Sequence, residues 1–189
     1  MIKPKQIYNF DRVKFLEFII GKVGNESAVE VGVWRGEYTQ CIQNINYFKK
    51  ITGVDPYELY EGYTDRPGKE FKAQTRLEEL YNKVSRRFSK QNIDLLRMKS
   101  VQASNQFEND SIDFVYLDGN HQFDAVTEDI NAWWPKTKGI LAGDDYAPDN
   151  GITDEKFGVI EAVQNFVKQN DLEFYLTNDR LPTWFVFKK

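Results

Sequence analysis

Ser27-Ala-Val-Glu-Val-Gly-Val-Trp-Arg-Gly-Glu-Tyr-Thr39 sets the architecture of this chain. Its first five residues are short, apolar and β-branched, the pattern of a buried strand, and they run straight into Gly32 and Gly36. The two glycines let the backbone turn sharply and approach a ligand closely, and Tyr38 to Phe48 then carries a helical pattern. A second strand, Ile51 to Val54, stops at Asp55-Pro56, where the proline ends it. An acidic residue about 20 positions beyond a glycine loop can accept hydrogen bonds from both ribose hydroxyls. Together the turn and Asp55 predict a nucleoside-containing cofactor without saying which. The Gly-x-Gly-x-x-Gly of nicotinamide binding is not there, because Trp34 stands at the middle glycine; that argues against a pyrophosphate cradled on this turn.

Working outward, strands and helices alternate. Asp11 to Ile20 is an amphipathic helix stopped by Gly21 and Gly24. Pro56 to Lys69 reads as an irregular loop, and Glu70 to Phe88 as a helix whose outer side carries Lys72, Arg76, Lys83, Arg86 and Arg87, a solvated face. Ile93 to Met98 is a third strand and Ile112 to Leu117 a fourth. The helix Phe123 to Trp134 is ended by Pro135, Gly139 to Gly143 is a fifth strand, and Phe157 to Lys168 a further helix. Glu173 to Thr177 and Thr183 to Phe187 are joined by so short a turn that they must be antiparallel. The expected fold is α/β and Rossmann-like: seven strands, mostly parallel, with an antiparallel C-terminal strand and helices on both faces. It is read as one domain over 1–189, with 1–26 an N-terminal helical segment packed on it. In such sheets ligands bind beyond the carboxyl ends of the strands.

Beyond the fourth strand stands Leu117-Asp118-Gly119-Asn120-His121, and beyond the fifth Gly143-Asp144-Asp145-Tyr146. If these strands are neighbours, three carboxylates meet beside the one histidine of the chain. Crowded carboxylates repel unless protons or a cation intervene, and oxygen ligands suit a hard divalent ion. The other reading, that Asp144 and Asp145 cap a loop and Asn120 a helix, stays open residue by residue. Their convergence favours a site.

Composition narrows the partners. The 189 residues are 41% hydrophobic and 15% aromatic, enough for a sizeable core. With 25 basic against 29 acidic residues the net charge is −4, a poor basis for gripping phosphate backbones, so nucleic acid is not expected and a small-molecule acceptor is. Cys41 is the one cysteine and reads as a small hydrophobe; no intrachain disulfide can form. No apolar run approaches the roughly 20 residues that cross a bilayer. The expectation is a soluble, cytoplasmic protein with no membrane partner.

In order, Glu-Val-Gly-x-x-x-Gly from Glu30, Gly-Val-Asp-Pro from Gly53, Asp-Phe-Val-Tyr-Leu-Asp-Gly-Asn-His from Asp113, the Val126…Asp129…Trp134 helix and Gly-Asp-Asp-Tyr from Gly143 resemble the motifs of class I S-adenosylmethionine-dependent methyltransferases. The likeness is to the small metal-dependent sugar O-methyltransferase group, methyltransferase family 24. It implies S-adenosylmethionine as cofactor, with Glu30, Gly32, Val33, Trp34 and Gly36 around its methionine part, Asp55 on the ribose, Ser100 near adenine, and Asp118 at the same site. It also implies Mg²⁺ or another divalent cation on Asp118, Asp144 and Asp145, and His121 as general base, making His121, Asp118 and Asp145 the catalytic set for transfer to a hydroxyl. Lys99 departs from relatives that carry an acid there. A homodimer is compatible with this reading. Tyr57, Tyr60, Tyr63 and Tyr146 either line an acceptor pocket or pack under long loops. Two alternatives remain: a cofactor-binding partner protein without activity, and a nicotinamide-dependent oxidoreductase on a related fold.

Overall fold

The computed structural model describes residues 1–59, 74–149 and 156–188. Among them lie eight strands in one sheet: β1 (Gln6–Tyr8), β2 (Ser27–Val31), β3 (Lys50–Val54), β4 (Ile93–Leu96), β5 (Ile112–Leu117), β6 (Thr137–Gly143), β7 (Tyr175–Thr177) and β8 (Trp184–Phe187). The helices are α1 (Arg12–Ile19), α2 (Glu37–Asn44), α3 (Gln74–Phe88), α4 (Ser100–Ser104), α5 (Phe123–Trp133) and α6 (Val159–Gln169). The strand order is β1-β7-β8-β6-β5-β2-β3-β4. Every pairing is parallel except those of β8 with β6 and β7. The seven expected strands are present, and β1 adds an eighth on the outer edge of β7. Order reverses between β2 and β5, which is where such sheets open a crevice.

Strand alternation fills both faces. Val29, Val31, Val115, Leu117 and Leu141 pack with α5 and α6, while Ala28, Ile51, Phe114, Tyr116 and Ile140 pack with α1, α2 and α3. The N-terminal helix therefore covers the sheet through Phe15, Leu16 and Ile19. Cys41 is half-buried against the same face. A register shift between Ile112 and Phe114 leaves Asp113 buried, and its Oδ2 accepts hydrogen bonds from the backbone N–H of Glu26 (2.8 Å) and Ser27 (3.1 Å), tying down the entry to β2. Among the described residues no helix is long and apolar enough to cross a membrane.

Candidate active site

Four residues share one relation to the sheet. Gly32, Asp55, Asp118 and Asp144 each follow the last residue of a strand, and each donates its backbone N–H to the end of the neighbouring strand: Gly32 to Val54 (2.8 Å), Asp55 to Leu96 (3.1 Å), Asp118 to Val31 (2.7 Å) and Asp144 to Leu117 (3.0 Å). The ladder thus carries these residues into a single row along the carboxyl edge. Gly32 has φ +92°, and a side chain there would run into the backbone carbonyl of Asp118. Only glycine lets β2 and β5 close at the switch point.

The glycine turn is braced from β3. Asp55 accepts from Trp34 N–H on Oδ2 and from Tyr57 N–H on Oδ1, both at 2.8 Å, and the Tyr57 hydroxyl returns a 2.8 Å bond to the Trp34 carbonyl. Burial pushes the Asp55 carboxyl up, and these amide bonds pull it back. A third backbone N–H, that of Val33, also bonds the carboxylate, which keeps acceptor capacity for a ligand hydroxyl. On the other flank Arg87 Nη2 donates to the Arg35 carbonyl at 2.6 Å, so one residue of the basic stripe braces the turn while Arg76, Lys83 and Arg86 stay exposed.

Between these walls lies a cavity of about 340 Å³, reached by Gly32, Trp34, Asp55, Tyr57, Ser100 and Asp129 among others. Of the residues expected around a cofactor, Gly32, Trp34, Asp55 and Ser100 meet here. Glu30, Val33, Gly36 and Asp118 do not reach it, Asp118 being turned to the neighbouring mouth. Val33 turns into the core; Glu30 is fully buried, hydrogen-bonded by Thr39 and pushed well above the carboxylate range by burial; Gly36 leaves the room that Arg87 and Phe88 fill. Ser100 starts the single-turn helix α4, accepts a 2.8 Å bond from Trp133 Nε1 and donates to Asp129. Asp129 was a legible signal: a carboxylate on the inward side of α5, among Val126, Ile130 and Trp133. Tyr57 serves this cavity; Tyr146 packs on Phe174 and its hydroxyl accepts from Gln164. Tyr60 and Tyr63 lie outside the described residues.

The second mouth adjoins the first through Gly119 and Asn120. β5 and β6 are neighbours, so Asp118, Asp144, Asp145 and His121 do converge. His121 Nε2 lies 3.5 Å from Asp118 Oδ1 and 3.4 Å from Asp145 Oδ2, and its ring packs on Phe157. Asp145 has φ +56°, the backbone turn that lets both acids of the pair face inward. A further residue enters from α1: Arg12 Nη1 lies 2.5 Å from Asp144 Oδ2 and 3.4 Å from Asp118 Oδ2. Burial and the neighbouring Asp118 push Asp144 up, and Arg12 opposes both. The chain order of contacts is Asp144, Arg12, Asp118, His121, Asp145. Among the described residues no group of three or more His, Cys, Asp and Glu is disposed to hold a metal ion. The carboxylates that the resemblance assigns to a divalent ion share a guanidinium and an imidazole instead.

A family model described as a methyltransferase domain matches residues 29–146, which hold Gly32, Asp55, Asp118, His121, Asp144 and Asp145 but not Arg12. The chain belongs to this family of S-adenosylmethionine-dependent methyltransferases. No curated protein matches the sequence. Solved structures share the fold. A candidate methyltransferase from Streptococcus mutans, in complex with SAH, has TM-score 0.62 at 14% identity over 100% of both chains. A candidate caffeoyl-CoA O-methyltransferase from Staphylococcus aureus has TM-score 0.64 at 12% identity, over 96% of this methyltransferase and 86% of that chain. An O-methyltransferase family protein from Burkholderia thailandensis has TM-score 0.62 at 10% identity, over 94% and 55%. The family match decides against the nicotinamide-dependent alternative, in keeping with Trp34 at the middle glycine.

Proposed function

We propose that this methyltransferase moves the methyl group of S-adenosylmethionine to a hydroxyl of a small molecule. The observation that carries the reading is the row of Gly32, Asp55, Asp118 and Asp144, which sets the cavity beside a mouth holding the histidine. When bound, S-adenosylmethionine supplies an electrophilic methyl on a sulfonium. The chain has three tasks. Gly32 and Trp34 present backbone to the cofactor, and Asp55, already fixed by the amides of Val33, Trp34 and Tyr57, offers its remaining acceptor capacity to the ribose hydroxyls. Ser100, held by Trp133, borders the same cavity. A hydroxyl must shed its proton to attack, and His121 is placed to hold it, with Asp118 and Asp145 stabilising the imidazolium. The O-methyltransferase names of the Staphylococcus aureus and Burkholderia thailandensis structures support an oxygen acceptor. The carboxylate set does not fit a divalent ion while Arg12 stands in it, so no step is routed through a metal.

Calorimetric titration with S-adenosylhomocysteine tests the cofactor half. The intact protein binds it, and Asp55→Ala weakens binding by roughly tenfold or more, the effect of losing hydrogen bonds to a charged acceptor. His121→Ala keeps that affinity and lowers turnover by ~10²–10⁴-fold. No binding by the intact protein overturns the proposal; unchanged turnover in His121→Ala removes the base.

A further inference from the structure

The cation that holds the acidic mouth together comes from a residue 132 positions away from its nearer partner in sequence. The Asp144 side chain is only 6% exposed, so its charge cannot be left to water and needs a partner inside the protein. Arg12 supplies it, and its backbone is fixed from several sides. Asp11 caps the start of α1 by accepting from Val13 and Lys14, Asp179 Oδ2 accepts the Arg12 backbone N–H at 3.3 Å, and the Tyr38 hydroxyl donates to the Arg12 carbonyl at 3.3 Å. The guanidinium also lies over the Tyr38 ring, 5.3 Å from its centroid. A hard divalent ion shared by Asp118 and Asp144 needs their oxygens within ~2.0–2.6 Å of one point. Nη1 stands between those two Oδ2 atoms. Of the other oxygens, Asp118 Oδ1 and Asp145 Oδ2 face His121 Nε2, while Asp144 Oδ1 is buried and accepts no hydrogen bond among the described residues.

We propose that Arg12 takes the place of the divalent ion, so that this protein works without a metal. Arg12 is a positioning residue. It keeps Asp118 and Asp144 paired and parted, leaving Asp118 and Asp145 to His121. An arginine cannot give up its proton near neutral pH, so the charge it supplies is permanent, as a metal's would be, but is carried by the chain. The inference rests on the methyl-transfer reading only for what the mouth acts upon.

Manganese(II), followed by its electron paramagnetic resonance signal in the presence of the full chain, tests this. The unaltered protein is expected to leave the free Mn²⁺ signal unchanged, and its turnover to be the same with and without EDTA. Arg12→Ala vacates the space between the carboxylates and is expected to gain at least roughly tenfold in Mn²⁺ affinity, with Mn²⁺ raising its melting temperature. Asp144→Asn added to Arg12→Ala abolishes both gains. Arg12→Met, which keeps the apolar stem, replaces Arg12→Ala if the alanine variant does not fold. Mn²⁺ binding by the unaltered protein that Asp144→Asn removes would overturn the proposal, as would an Arg12 variant that folds and gains no Mn²⁺ affinity. S-adenosylhomocysteine titration of the same samples separates the two readings: its failure sinks methyl transfer, while the manganese result still decides the role of Arg12.

Discussion

Asp129 is a carboxylate turned toward an apolar interior, and its environment sets how it ionises. Burial pushes it up to about 7, against the opposing hydrogen bond from Ser100. In the unfolded chain the same group ionises near 4. Between roughly pH 4 and 7 the unfolded state therefore releases a proton that the fold retains, and stability falls as pH rises, by ~1.4 kcal/mol per unit at most; above that window the contribution is flat. Asp129→Asn removes the titration while keeping an acceptor for Ser100. Urea unfolding at a series of pH values should show the wild type losing stability across this window relative to Asp129→Asn. Parallel curves would mean that Asp129 is ionised in the fold.

At the scale of elements, helix α1 and the β7–β8 turn act as one device, because Asp179 joins them. Its Oδ2 accepts the Arg12 N–H, and its Oδ1 is bonded by the Thr177 hydroxyl. Asp179→Ala should cost about 1 kcal/mol of stability by denaturant unfolding. Turnover should fall further than this loss of fold explains, with S-adenosylhomocysteine affinity intact, because only the acidic mouth depends on where α1 begins. Equal loss of both would show that α1 supports the whole sheet edge and not the mouth. The same elements show what a sequence reveals. Ile112 to Leu117, apolar on both faces but for Asp113, was legible residue for residue, as was the turn at Gly32, because the pattern and its cause are local. β1 was not legible: Gln6–Tyr8 is three residues long, largely exposed, and strand only because β7 offers an edge. The carboxylates and His121 could be read from their places after strands. Arg12 could not, since nothing near it in sequence marks a side chain whose partners lie 106 and 132 positions away.

For the whole molecule, the question is what makes two mouths into one site. The sheet divides at β2 and β5, where connections leave in opposite directions, and the two halves meet at their carboxyl ends only because Gly32 lacks a side chain. A methyl group there would press on the Asp118 carbonyl, and Asp118 N–H is itself bonded to Val31 beside it. The strain would therefore be felt on both sides, by the cavity that Gly32 borders and by the carboxylate that Arg12 and His121 share. Gly32→Ala is expected to cost ~1–3 kcal/mol from its positive φ, with added cost from the contact. It should also abolish S-adenosylhomocysteine binding and turnover together. Gly21 supplies the control. Its φ is +75°, yet no atom lies within 4 Å of where its Cβ would stand. Gly21→Ala should therefore show the backbone cost in urea unfolding while leaving ligand affinity unchanged. If Gly32→Ala behaves like Gly21→Ala, the close approach of β2 to β5 is not what couples the two mouths, and the coupling must run through the side chains of Arg12 and Asp118 instead.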